Sequence, residues 1–322
     1  MPVHRRAVVA SLLTASMFIP SWRAPAQLPA GLEPEGEPIL PPPPAPHPAQ
    51  ATAPAPAVAP PPAPVAAAAP PAAPALPAWR RHAVAVAAND PRPKIAVVID
   101  DMGVMRARTA QAIALPGPLT FAWFPFARDL PQQMGEAARR GHEALLHMPM
   151  QAHTNSIVQT GPDPLRVDLP AEVNLARLRA AIAAVPGVVG LNNHMGSVAT
   201  RDPDLMQLVA LQVRAHDMLF LDSVVIPHSA ALPAAEAAGV PSAARDVFID
   251  NSGNPGVIRG QLAAIEAFSR RHGYAIAIGH PRPHTLAALE EWLPTLAGKG
   301  FVLWPIAATV ALRNGLPIGM AA

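Results

Sequence analysis

Ile95-Ala96-Val97-Val98-Ile99-Asp100-Asp101-Met102-Gly103 is the stretch on which the fold turns. Its first five residues are apolar without alternation, and four of them are β-branched. A strand buried on both faces has this texture, and such strands belong to parallel sheets covered by helices. The run stops at two adjacent carboxylates. Ligands of parallel α/β folds bind beyond the carboxyl ends of the strands, so Asp100-Asp101 marks a candidate site as well as a strand end.

Further runs of this kind follow at Leu119–Phe124, Glu143–Met148, Val188–Leu191, Met218–Leu221, Val247–Ile249, Tyr274–Ile278 and Phe301–Trp304. Helical patterns separate them, with stop signals at Pro116-Gly117, Gly141 and Pro186-Gly187. Asp202 and Pro203 form a cap and first turn for one helix. Strand and helix alternate seven or eight times, which predicts a parallel sheet with helical crossovers, a barrel or near-barrel rather than an open doubly wound sheet. The long polar loop from Pro149 to Glu172 is of a length usually reserved for function.

Upstream the texture differs. Of 322 residues 43 are proline, many of them in the Pro/Ala tract from Gln27 to about Pro93. Few side chains there can bury a core, and proline favours extended backbone, so residues 27–93 read as a spacer. Before it, His4-Arg5-Arg6, an apolar run from Ala7 to Ile19, and Ala24-Pro25-Ala26 match a secretory signal over residues 1–26, with an uncleaved membrane anchor as the alternative. Engagement of the export machinery or membrane, and a periplasmic or cell-surface location, are the corresponding expectations. The remaining residues, 94–322, suit one catalytic domain. A formal net charge of +2 without a basic cluster argues against nucleic acid as a partner. The absence of cysteine removes thiol nucleophiles and thiolate metal sites.

Polar residues gather at the other strand ends: His147 after the third, Asn192-Asn193-His194 after the fourth, Asp222-Ser223 after the fifth, and His280 after the Tyr274 strand. Asp and His together suit zinc or a similar divalent metal, and a catalytic metal wants about three protein ligands and one open position. Asp101, His147 and His194 can supply the three. Asp100 is then placed to accept a proton from water, and His280 to protonate a leaving group. Asp222 can orient either His280 or a metal-bound histidine. Asn193 and Arg282 are candidates for ligand support or substrate contact, Arg282 through a bidentate grip on an anion or through a surface pair. The other histidines, His142 among them, read as surface or supporting residues.

At these residues the chain resembles the divergent branch of the polysaccharide deacetylases. The motifs are Val98-Ile99-Asp100-Asp101-Met102-Gly103, Gly141 to Met150 around His147, Asn192 to Ser197 around His194, Leu221-Asp222-Ser223, and Ile278-Gly279-His280-Pro281-Arg282-Pro283. The resemblance implies a distorted (β/α)7-8 barrel, removal of acetyl groups from a carbohydrate such as an amino-sugar polymer or peptidoglycan-like glycan, and an Asp-His-His site for zinc. It makes Asp100 the base, Asp101 and His147 ligands, and His280 the acid. Where the main family carries a second histidine, this chain has Gln151, which moves the third ligand to His194. Val224-Val225 replaces more polar residues after Asp222-Ser223. These departures leave a non-catalytic glycan-binding scaffold as the competing expectation.

Overall fold

The computed structural model describes residues 76–153 and 160–318. The stretch read as a signal or anchor, 1–26, and most of the stretch read as a spacer lie outside the described residues. Among those described, no helix is long and apolar enough to cross a membrane.

Nine strands form one sheet: β1 (Lys94–Met102), β2 (Thr120–Trp123), β3 (Glu143–Met150), β4 (Gly190–Met195), β5 (Leu219–Asp222), β6 (Ser242–Ala244), β7 (Val247–Phe248), β8 (Tyr274–Gly279) and β9 (Val302–Leu303). Their order is β6-β5-β4-β3-β2-β1-β8-β7, with β9 against β1, and every pair is parallel. The eight-strand path curls as a barrel does but is not hydrogen-bonded between β6 and β7. The distorted (β/α)7-8 expectation therefore holds.

Helices α1 (Ala78–Arg81), α2 (Arg106–Ile113), α3 (Leu130–Arg139), α4 (Ala171–Ala184), α5 (Pro203–Ala215), α6 (Ala231–Ala237), α7 (Pro255–His272), α8 (Pro283–Trp292) and α9 (Ile306–Arg313) accompany the strands. The Asp202 side chain accepts from Leu205 N–H at the start of α5, the cap its position predicts. Helix α1 falls inside the stretch read as spacer. Ala78 and Trp79 are buried, and Trp79 N–H donates to the Asp217 carbonyl, so the packed domain begins before Lys94. A tryptophan in a Pro/Ala tract was the signal for that packing. His142, read as a surface or supporting residue, is a core residue: its ring accepts from Leu119 N–H and faces the Ile113 carbonyl.

Side-chain parity sorts the strands. Ile95, Val97 and Ile99 of β1 pack with the helices, while Ala96 and Val98 face the concave interior with Leu145, Leu219, Leu221, Ile276 and Ile278. Alternation along a strand fixes this division. Helix α9 closes the amino-terminal end of that interior with Ile306, Ala307 and Val310.

Glu143 also sits at that end, fully buried, accepting from Val84 N–H and, at the α9 N-terminus, from Ala307 N–H. Burial pushes its carboxyl up to about 7, against the pull of those donors. A raised pKa means that the folded chain keeps a proton that the unfolded chain loses. Glu143 therefore stabilises the fold most below its ordinary pKa, and that contribution disappears as pH rises through about 7. The full effect is about 3 kcal/mol. Glu143→Gln, which mimics the neutral acid, is expected to flatten this fall when denaturation midpoints are compared at acidic and neutral pH. Parallel pH curves for the two proteins would contradict the assignment.

Candidate metal centre

The inward-facing rows run straight into the chemistry. Ala96 and Val98 continue to Asp100, Leu145 to His147, and Ile276 and Ile278 to His280. Asn192 and His194 share the inward parity of β4, because Leu191 packs on the helical side. Asp101 has the wrong parity and reaches the site by a bulge. Between the Ile99–Phe121 and Met102–Trp123 pairs, β1 advances one residue more than β2. Asp101 takes up the difference with φ of 57°, in the left-handed region. Such backbone is costly for a residue other than glycine and concentrates at functional sites. Its result here is that two neighbouring carboxylates face one place.

Asp101 Oδ1 lies 3.3 Å from His147 Nε2 and 3.2 Å from His194 Nδ1, and the two nitrogens are 3.1 Å apart. A tetrahedral zinc with bonds of 2.0–2.1 Å separates its ligands by about 3.3 Å, so the three atoms have the spacing that a small cation imposes. Asp101 Oδ1 is buried yet accepts no well-aligned hydrogen bond, although both rings stabilise its charge. Two ring nitrogens crowd one carboxylate oxygen in poor hydrogen-bond geometry, and a shared cation would satisfy all three atoms at once. The side chains of His147 and Asp100 are almost wholly buried, whereas that of Asp101 is 35 % exposed, which leaves one side of the group open to a ligand.

Asn192 fixes the chemistry of two neighbours. Its Nδ2 donates to Asp100 Oδ1 at 2.8 Å, so its Oδ1 faces His147 Nδ1, also at 2.8 Å. The same Nδ2 also donates to Ser223 Oγ, so its two hydrogens are used on that side and the amide orientation is set. The amide oxygen then requires the proton on His147 Nδ1, leaving the Nε2 lone pair free for a cation. Phe124 walls the group, 5.1 Å from the His147 ring and edge-on to His194 at 4.7 Å.

Burial pushes Asp100 up, against the pull of His147 and His280. Burial also raises Asp101, but His147 and His194 outweigh it and hold that carboxyl below the usual carboxylate range. At His147 burial lowers the pKa, and Asp100 and Asp101 more than reverse it. A bound cation would displace that extra proton, since a ligating nitrogen cannot carry one.

On the far side His280 Nδ1 donates to Asp250 Oδ1 at 2.9 Å, and its Nε2 points inward, 4.0 Å from Asp101 Oδ2. Asp250 is fully buried and held by Thr285 Oγ1 at 2.8 Å and by His280 N–H at 3.0 Å. Burial lowers the His280 pKa, but the hydrogen bond to Asp250 outweighs it and the net shift is upward. The orienting carboxylate expected at Asp222 is thus Asp250. Asp222 has outward parity and accepts from Val224 N–H, as a turn residue does. Asn193 likewise points away, tying Ser223 N–H to β4. Arg282 donates to the Asp250 carbonyl at 2.8 Å while 48 % of its side chain stays exposed, so it braces Asp250. Gln151 accepts from Val167 N–H and fastens the long loop. Asp250→Ala is expected to lower turnover about 10²-fold or more by releasing His280, with bound metal unchanged. Loss of metal in that variant would place Asp250 in the ligand set instead.

The description "Divergent polysaccharide deacetylase" matches residues 97–310, well over half of the chain. The chain belongs to that family. Among curated relatives, an uncharacterised protein of Haemophilus influenzae (strain ATCC 51907 / DSM 11121 / KW20 / Rd) is 38 % identical over 203 residues, which is 63 % of this chain and 72 % of that one. The uncharacterised protein YibQ of Escherichia coli (strain K12) is 35 % identical over 203 residues, 63 % of each chain, so the match spans less than two thirds of YibQ. Among solved structures, the uncharacterised protein ATU2773 from Agrobacterium tumefaciens C58 aligns with a TM-score of 0.70 and 26 % identity, covering 73 % of this chain and 95 % of its own. The deacetylase-family fold and an Asp-His-His group with the spacing of metal ligands therefore occur together in this domain.

Proposed function

We propose that the domain hydrolyses acetyl groups on a carbohydrate, an amino-sugar polymer or peptidoglycan-like glycan, with a divalent metal, zinc by preference, held by Asp101, His147 and His194. The observation that carries this reading is the triangle of three ligand atoms, Asp101 Oδ1, His147 Nε2 and His194 Nδ1, separated by 3.1–3.3 Å. When bound, the metal supplies Lewis acidity, polarising the acetyl carbonyl and lowering the pKa of water. Asp100 takes the proton of the attacking water. Its burial favours the protonated form once that proton arrives. His280, whose protonated form the hydrogen bond to Asp250 favours, delivers a proton to the departing nitrogen or oxygen. The wall of Phe124 excludes bulk water and strengthens each charge interaction.

The amino-terminal pattern extends the proposal to an exported protein, carried by a cleaved signal or held by an anchor, with a Pro/Ala spacer that sets the domain away from the membrane. The direct test is acetate release from a panel of acetylated chitooligosaccharides and peptidoglycan fragments. Release that stops with a chelator and returns with zinc supports the reading. Glycan binding without acetate release by the metal-loaded protein would support a scaffold in its place.

A further inference from the structure

Arg245 lies between β6 and β7, outside every motif quoted above. It is half-buried; Asp100, Asp222 and Asp246 are near enough to favour its charge, but its hydrogen bonds go elsewhere. Its donors serve backbone instead: Nε donates to the Ser223 carbonyl at 2.8 Å and Nη2 to the Val224 carbonyl at 2.9 Å. Val224 has φ of 50°, a left-handed conformation that β-branched residues rarely adopt. Its N–H is held by Asp222 Oδ1 at 2.8 Å and its carbonyl by Arg245, so the strained residue is clamped at both ends.

Two chains of contact lead from this clamp into the metal centre. Ser223 N–H is tied to Asn193 Oδ1, and Ser223 Oγ accepts from Asn192 Nδ2 at 3.3 Å. That amide also holds Asp100 and His147. On the other side the guanidinium lies over the Phe248 ring at 4.6 Å, and Phe248 faces the His280 ring at 5.7 Å. One side chain thus borders both the base side and the acid side of the centre while touching neither reacting carboxylate nor imidazole.

We infer that Arg245 is a positioning residue that locks the strained Ser223–Val224 turn, sets the Asn192 amide through Ser223, and backs Phe248 against His280. Its effect on turnover rests on the deacetylase reading above; its effect on the turn does not. Glycine adopts positive φ without the steric cost that valine meets, so Val224→Gly removes the strain that the clamp maintains.

The test uses the full chain with Arg245→Ala, Arg245→Lys, Val224→Gly and the double variants, reading the thermal midpoint, metal per chain, and kcat and KM for acetate release. Arg245→Ala is expected to lower the midpoint and to cut kcat at least about tenfold, with KM within about twofold and bound metal unchanged. Val224→Gly is expected to shift the midpoint more favourably in the parent, where the clamp maintains the strain, than in the Arg245→Ala background, where the freed turn can relax. Arg245→Lys, which reaches one carbonyl, is expected to fall between. Should Arg245→Ala not fold, the lysine variant with and without Val224→Gly carries the same comparison. Additive midpoints for the two positions would overturn the clamp. An unchanged kcat in a folded Arg245→Ala protein would overturn its positioning role. Absence of acetate release from the parent protein would remove the deacetylase reading, while the midpoints would still decide the clamp.

Discussion

Asp100→Asn is expected to lower acetate release about 10²- to 10⁴-fold while bound metal per chain stays at the parent level. The substitution is nearly isosteric. The new amide oxygen can still accept from Asn192 Nδ2, so the Asn192–His147 bond and the His147 tautomer are preserved. What disappears is the capacity to take a proton at the one buried carboxylate beside the metal group. Asp100 Oδ2 is 3.8 Å from His147 Nε2, farther than Asp101, which fits a base better than a ligand. Steady-state kinetics alongside metal analysis checks this. Turnover close to the parent would remove Asp100 from the reaction, and loss of metal would make it a ligand.

His194→Ala is expected to abolish stoichiometric metal binding, with affinity falling more than about 10²-fold, while the fold survives. His194 is the natural member of the group to remove, because its side chain is less buried than that of His147. It packs edge-on against Phe124, and its loss leaves a rim cavity rather than a core one. A cation left with Asp101 and His147 has two protein ligands, too few for a retained catalytic site. Metal content after dialysis, with a thermal midpoint as the folding control, reads the outcome. Full retention of metal would mean that the third ligand lies elsewhere.

Much of the architecture was legible because buried parallel strands announce themselves as unbroken apolar runs. The rule that ligands gather at their carboxyl ends then picked out Asp100, Asp101, His147, His194 and His280. Parity was the information left unused. It separates Asn192 from Asn193 and turns Asp222 outward, since Leu219 and Leu221 face the interior. Asp250 stands directly after the Val247–Ile249 run and carried the same strand-end signal as Asp222; nothing in the pattern says which of the two carboxylates meets His280. Asp101 could not be placed by parity at all. Its inward direction depends on a bulge and a positive φ that no residue type in Asp-Asp-Met-Gly demands. Arg245 was invisible for another reason: its partners are backbone carbonyls, and those leave no mark on a sequence.

The central claim is that Asp101, His147 and His194 meet around one cation. X-ray absorption on the zinc-loaded full chain tests it directly. The account predicts one zinc per chain in a four-coordinate nitrogen and oxygen shell, with the scattering signature of two imidazoles and bond lengths near 2.0–2.1 Å. A protein that takes up no zinc, or a zinc shell without two imidazoles, would contradict it.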